Sequence, residues 1–455
     1  FVIGRIARLL PSISVETESA DKEYRLSAKS TALEYAGEHI GGALWQYFEG
    51  QGDAERALAA MKDASRYTRG HLSRDAVHAL YGGAVTLSAS RMDMARSCHF
   101  AYFMRYGLKV RERTGAGFDA PQIGTFVHDV MEHTLRQAKE CGGLHTLSKD
   151  KLHALVRASI EEYIDRVLPD LCEKSARFRY LFNRLCATVE RIMDEVSEEL
   201  QSSDFEPLAF ELEFGADGQL PAITIREENG TARVVGKVDR VDGWLHDGKL
   251  YLRVVDYKTG KKSFDLAELR YGLGLQMLLY LFTLKEEGQM LFGGHKIVPA
   301  GVLYTPAREP MLRCARDTEP ETIEKALKKE LRRSGMVLED PAVLQAMEHS
   351  ALESPCYLPI AVKRDGAVTG SLASAEQLGK LSKYVDHILH EITQEVFAGN
   401  IDADPYARTP QQSACTYCEF ASACHFENGC GSDRMEYIKA TKNDEFWQYI
   451  DEVNG

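Results

Sequence analysis

Apolar residues recur at helical spacing over Ala32–Phe48 and Glu55–Tyr67 with little alternation, so residues 25–80 read as a helical segment. Three more helices are predicted over 118–140, 148–168 and 175–202. The period then changes. Strand-like alternation fills about 206–258, with turn signals at Ala216-Asp-Gly218 and Glu228-Asn-Gly230. Within it, Thr231–Val241 and Lys249–Tyr257 form a hairpin through an Asp247-Gly248 turn. A helix over 265–287 crosses to a strand near Lys296–Tyr304, and residues 318–350 read as a helical insertion. Cys356–Val362 follows as a short strand and 375–397 as a long helix. Strands mixed with helices in this way predict an α/β class, a central mixed sheet flanked by helices.

The hairpin carries the chemistry. On a strand, residues i and i+2 share a face, so Asp256 and Lys258 look into one pocket, and Asp239 reaches it across the pairing. Two carboxylates and an ammonium converging there make a divalent-metal site beside a cation suited to phosphate chemistry. For Asp-x-Lys alone, the plainer reading is a surface hairpin with scattered salt bridges. Upstream, Gly124-Thr-Phe-Val-His128-Asp-Val-Met-Glu132 opens an amphipathic helix with His128 and Glu132 on one face. Downstream, Gly272-Leu-Gly-Leu-Gln276-Met-Leu-Leu-Tyr280 opens another, with Gln276 and Tyr280 four apart.

Taken in order, these segments resemble the RecB-type branch of the PD-(D/E)xK nucleases. That family runs from a helix with Gly-x-x-x-His, through strands with Gly-x-x-Asp and Asp-Tyr-Lys, to a helix with Gln-x-x-x-Tyr. The resemblance implies His128, Asp239 and Asp256 as ligands of Mg²⁺ or Mn²⁺, joined by the backbone carbonyl of Tyr257. It implies that Lys258 orients the attacking water, and that Gln276 and Tyr280 shape the site and touch the DNA backbone. Oxygen ligands suit either ion, and the single imidazole tilts the set towards Mn²⁺. Glu211 and Glu213 are either an outer part of this site or the wet face of an edge strand, which their alternation favours. Asp242 is ambiguous in the same way.

Ten cysteines are present, and Cys415, Cys418 and Cys424 form a Cys-x₂-Cys-x₅-Cys run. A fourth ligand comes either from Cys430, giving a local zinc knuckle, or from Cys98. The segment 87–108 around Cys98 resembles the entry to the nuclease core of AddB-type subunits, where such a cysteine and the later run bind a [4Fe–4S] cluster. The resemblance thus implies Cys98, Cys415, Cys418 and Cys424 as cluster ligands, stapling a very long loop. His99 stands where that family usually has proline. Cys141, Cys172, Cys186, Cys314 and Cys356 read as small buried hydrophobes, and no disulfide framework is expected.

Net charge of −13 argues against a broadly nucleic-acid-binding surface. Local cations matter more. Arg105, Lys109, Arg111 and Arg113, interleaved with Tyr102, Phe103 and Tyr106, and Lys261 and Lys262 beyond Lys258, would track a strand by phosphate contact and stacking, unless they are simply solvated. Thr259-Gly-Lys-Lys-Ser263 is no Walker loop, so no ATP hydrolysis is expected. Apolar content of 44% and charged content of 27% fit an ordinary globular protein, and no apolar run is long enough to span a bilayer. At 455 residues, more than one unit is expected: a helical segment over 1–84, a nuclease-like unit over 85–430 and a helical extension over 431–455. Phe1-Val-Ile-Gly reads like a domain interior, as in a piece of a longer chain. The resemblance implies a Mg²⁺-dependent DNA nuclease of an AddAB-type helicase–nuclease, acting in break resection in the bacterial cytoplasm. Its partner would be an AddA-type subunit, and residues 1–84 the tail of a degenerate helicase-like region. A stand-alone Fe–S nuclease of the CRISPR-adaptation type, a DNA-binding scaffold with a vestigial site and a zinc-based structural protein are the alternatives.

Overall fold

Six strands form one mixed sheet: β1 (Glu206–Phe214), β2 (Gly236–His246), β3 (Lys249–Lys258), β4 (Lys296–Pro306), β5 (Ser334–Leu338) and β6 (Leu372–Ala373). They lie side by side in chain order. The first three are antiparallel, β4 joins β3 in parallel, β5 runs antiparallel to β4, and β6 is parallel to β5. The computed structural model describes residues 5–6, 9–10, 25–64, 68–111, 120–215, 218–315 and 317–455. Arg113 and most of the turn at Ala216-Asp-Gly218 lie outside them.

Helices cover the sheet: α1 (Ala120–Glu140), α2 (Lys149–Val167), α3 (Ala176–Gln201), α4 (Gln276–Glu287) and α5 (Ala375–Phe397). The central strand β3 is buried from Val254 to Tyr257, which explains its nearly unbroken apolar run. The parallel step from β3 to β4 needs a crossover, and α4 supplies it, buried on every side from Met277 to Leu284. Along α1, Phe126, Val127, Val130, Met131, Leu135 and Ala138 enter the core, which leaves His128 and Glu132 on the other side. A capping box of Ser374 and Gln377 starts α5. A second sheet pairs Ala84–Leu87 in parallel with Gly230–Val234, which continues antiparallel to Ile223–Glu227. Residues 25–64 hold a separate small core of Ala32, Ala36, Trp45, Phe48, Ala54 and Leu58. Among the described residues, no helix is long and apolar enough to cross a membrane.

Several elements differ from the sequence expectation. Thr231–Val241 is two strands in two sheets, Gly230–Val234 and β2, because the Val235 N–H turns away to the carbonyl of Leu87. The helix expected over 265–287 is broken into Leu266–Arg270 and α4 by Gly272 (φ +75°) and Gly274 (φ +68°). The buried carboxylate of Asp93 fixes that break by accepting from Gly274 N at 2.9 Å. Residues 318–350 are not all helix: Pro320–Leu331 and Pro341–Met347 flank strand β5, whose five residues are too few to show a period. Cys356–Val362 shrinks to Ile360–Val362, and Ala32–Phe48 splits into Lys29–Glu38 and Ala43–Phe48 at Gly41. Cys141, Cys172, Cys314 and Cys356 are exposed rather than buried, since they fall in connections and not on helix stripes; Cys186 is half-buried. After a short strand at Glu436–Tyr437, the helix Asn443–Asn454 puts Phe446, Trp447 and Ile450 into the main core.

Candidate active site

The hairpin forms as its residues dictate. Asp247 (φ +49°) and Gly248 (φ +73°) take the left-handed conformations of a tight hairpin turn, and His246 pairs with Lys249. β2 and β3 thereby bring Asp239 against the backbone of Tyr257, whose N–H donates to Asp239 Oδ2 at 2.8 Å. From α1, His128 faces the same point. Its Nε2 lies 3.0 Å from the Tyr257 carbonyl oxygen and its Nδ1 3.3 Å from Asp239 Oδ2. Lys258 Nζ sits 2.7 Å from Asp256 Oδ2 but without hydrogen-bond alignment, so that buried oxygen has no hydrogen-bond donor. His128, Asp239, Asp256, Lys258 and the Tyr257 carbonyl are thus gathered in one place.

Glu211 joins them, against the expectation of a wet strand face. The register of β1 on β2 sets it opposite Asp239, between the pairs Phe210–Arg240 and Leu212–Val238. A left-handed kink (φ +48°) turns it inward, 4.0 Å from His128 Nδ1. His128, Glu211 and Asp239 each offer a ligand atom within 4.8 Å of the others. Glu213 stays exposed and meets Lys237, which also pairs with Glu211 at 2.6 Å. Nothing in the alternation of residues 206–214 announces the kink.

The electrostatics suit a cation. Burial, then repulsion from Asp239, pushes the Asp256 carboxyl up to about 6. Burial also raises Glu211, with Asp239 adding to the effect. For His128, burial opposes the charge most strongly, but the hydrogen bond and attraction to Asp239, then Asp256 and Glu211, raise it overall. Crowded acids that resist ionisation next to an orphaned carboxylate oxygen are what a divalent ion would relieve.

At the start of α4, Gln276 Nε2 donates to the Tyr280 hydroxyl at 3.1 Å, and burial raises that phenol. Gly236 makes room for it: a Cβ there would lie 2.5 Å from the rings of both Phe214 and Tyr280. Asp242 points to the opposite side of β2, into a buried network that sequence reasoning missed. It accepts from Arg240 and Arg253, Arg240 also donates to the Tyr257 hydroxyl at 2.6 Å, and Glu199 binds Arg333. Arginines at fully buried strand positions read as solvent-facing from sequence alone.

Cys98, Cys415, Cys418 and Cys424 all line one cavity of about 620 Å³, and Cys430 is not among its walls. Burial pushes the Cys98 thiol up to about 12 and also raises Cys415 and Cys424. The chain's flanks are joined around it: His99 N donates to Asp404 Oδ1 at 2.9 Å, and Arg69 reaches Asp433 at 2.9 Å and the Cys424 carbonyl at 2.8 Å. Proline in place of His99 could not make that backbone bond.

The expected strand-tracking surface is only partly present. Arg105 is held by Glu419 at 2.7 Å, and Tyr102 is buried against Tyr81 and Tyr106, closed to any base. Lys109 and Arg111 are exposed, Lys261 lies 3.8 Å from Glu330, and Lys262 lies 3.6 Å from Glu268.

Sheet, helices and acidic pocket together define a nuclease domain, and the chain belongs to the PD-(D/E)XK nuclease superfamily, whose pattern matches residues 86–425. Over its whole length it is similar to the B subunit of the ATP-dependent helicase/deoxyribonuclease of Ruminiclostridium cellulolyticum, with 29% identity over 477 residues, and it covers 41% of that protein. The protein of the same name from Acetivibrio thermocellus is 32% identical over 412 residues, 90% of this chain and 35% of the relative. That of Thermoanaerobacter sp. is 31% identical over 380 residues, 82% and 33% of the two chains. The chain spans less than half the length of these relatives.

Proposed function

We propose that this chain is the nuclease part of the B subunit of an AddAB-type helicase–nuclease, and that it hydrolyses DNA phosphodiester bonds with Mg²⁺ during resection of double-strand breaks. The observation that carries the reading is the donorless, buried Oδ2 of Asp256 beside the His128, Glu211 and Asp239 cluster. His128, Asp239, Asp256 and the Tyr257 carbonyl would hold the ion, with Glu211 within reach. When bound, it neutralises the scissile phosphate and acidifies water. The protein's own groups supply the rest. Lys258 presents its ammonium at the mouth of the site, where it orients a water and offsets charge developing on the phosphate. Asp239 fixes the Tyr257 backbone, and Gln276 keeps the Tyr280 hydroxyl turned to the site's wall. DNA would follow Lys109, Arg111, Lys261 and Lys262, and Arg105 only after exchanging Glu419.

The four thiols around one cavity support a [4Fe–4S] cluster at Cys98, Cys415, Cys418 and Cys424. Thiolates of one tetrahedral zinc stand about 3.8 Å apart. No three of these cysteines lie within 4.8 Å of one another, a spacing that favours a larger centre. The relatives' names support an ATP-driven partner, an AddA-type subunit, and a cytoplasmic place of action. Residues 1–84, 85–430 and 431–455 are proposed as helicase-like tail, nuclease and extension.

The test is Mg²⁺-dependent cleavage of single- and double-stranded DNA by anaerobically purified protein. Asp256→Ala and Lys258→Ala should each lower the rate by at least about a hundredfold without changing iron content. Equal cutting by the parent and both variants, or no cutting by the iron-loaded parent, would reject the reading in favour of a scaffold.

A further inference from the structure

Where β3 and β4 leave the sheet and β5 enters it, a groove of about 320 Å³ opens beyond the active-site lysine. Lys258, Lys261, Lys262, Arg308 and Arg332 line it, and Glu330 is the one acidic side chain among its walls. The fold builds this convergence. Lys258 pairs with Pro306 in the parallel register, and its carbonyl accepts from Ala307 N at 2.9 Å, which sets Arg308 just past the strand end. The 259–264 loop is drawn back over the start of β5 by the Phe264 N–H on Ser334 Oγ at 2.7 Å, and Arg332 precedes that strand by two residues. Glu330 holds Arg308 at 3.3 Å and Lys261 at 3.8 Å. Five cations around one carboxylate stand out on a chain whose net charge is −13.

We propose that this groove binds the phosphate next to the scissile one on a single DNA strand, with Arg308 and Lys261 leaving Glu330 to grip it. The inference rests on the nuclease reading above and names a substrate contact within it. Lys258 belongs to both the catalytic cluster and the groove, so a strand occupying one presents its neighbouring phosphate to the other. Guanidinium groups suit that ligand because their planar fork matches two phosphate oxygens. A free phosphate ion would meet the same chemistry, and the experiment separates the two.

Binding of a labelled single-stranded oligonucleotide is titrated at several salt concentrations in an Asp256→Asn background, which blocks turnover. Lys261→Gln and Arg308→Gln should each reduce the slope of log affinity against log salt by about 0.7, and Arg308→Lys should restore it. Lys261 is largely exposed, so its variant tests the groove even where Arg308→Gln destabilises the chain. With Asp256 intact, the same changes should raise KM about tenfold and leave kcat within about twofold. Oligonucleotides shortened from either end, so that one series lacks a phosphate beside the cut, should lose this sensitivity in that series alone. Unchanged slopes in both variants would overturn the proposal. So would inorganic phosphate that binds with Arg308 dependence while the oligonucleotide shows none. If the unsubstituted chain neither binds nor cuts DNA, the nuclease reading itself has failed.

Discussion

Substituting asparagine for Asp242 exchanges one oxygen for an amide nitrogen at almost constant shape, so its effect isolates a charge. Asp242 has no exposed surface and accepts from Arg240 Nε at 2.8 Å, Arg240 Nη2 at 3.0 Å and Arg253 Nε at 2.9 Å. Both arginines are equally buried. Without the carboxylate, two guanidiniums confront each other in a low-dielectric interior. Glu199, already bonded to Arg333 and 3.5 Å from Arg253, is left to neutralise all three. Removing one partner of a buried ion pair costs about 3–5 kcal/mol, and the remaining carboxylate should hold the loss near the lower figure, about 3 kcal/mol. Asp239 stands three residues earlier on the opposite side of the same strand and provides the control. Its asparagine variant keeps an acceptor for Tyr257 N and relieves the repulsion that raises Asp256, so stability should change by less than about 0.5 kcal/mol while cleavage is lost. Equilibrium urea unfolding followed through Trp244, which lies on β2, reads both. A loss below about 1 kcal/mol for Asp242→Asn, or equal losses in the two variants, would refute the argument.

Because burial and Asp239 hold the Asp256 carboxyl near 6, above its ordinary 3.8, the folded protein carries a proton there at lower pH that an ion must displace. Metal affinity should fall about tenfold per unit below pH 6 and level off above it; the metal-free protein should grow more stable as pH drops from 6 towards 3.8. Calorimetric titration across that range checks the first, and urea midpoints the second. Gly236→Ala should drive a methyl group into the Phe214 and Tyr280 rings, lowering stability by about 1–3 kcal/mol and depressing cleavage further by displacing Tyr280, as denaturation and rate measurements would show. Cys98→Ser should release iron on purification, whereas Cys430→Ser should retain it; metal analysis of both decides between the long-range set and the local knuckle.

The catalytic cluster was legible in the chain because strand and helix periods are local rules. Asp256 and Lys258 share a face by strand geometry, Asp247-Gly248 names its own turn, and Gly124 to Glu132 marks a helix face. Glu211 was not legible, since its position depends on a backbone kink that its side chain does nothing to signal. Nor was the Arg240–Asp242–Arg253 network, because a charged residue advertises solvent until a partner from another strand is known. Strand β5 escaped for a third reason. Its pairing with β4 comes from tertiary register, and five residues between two helices carry too little pattern.

The cavity shared by Cys98 and the 415–424 run has a consequence for how the protein is made. Cys98 leaves the ribosome more than three hundred residues before Cys415. At ordinary translation speeds that is about 15 to 60 s during which the early thiol has none of its later neighbours. Loading of any inorganic centre there therefore has to follow completion of nearly the whole polypeptide, so a nascent chain stalled before residue 415 would carry its nuclease strands but no iron.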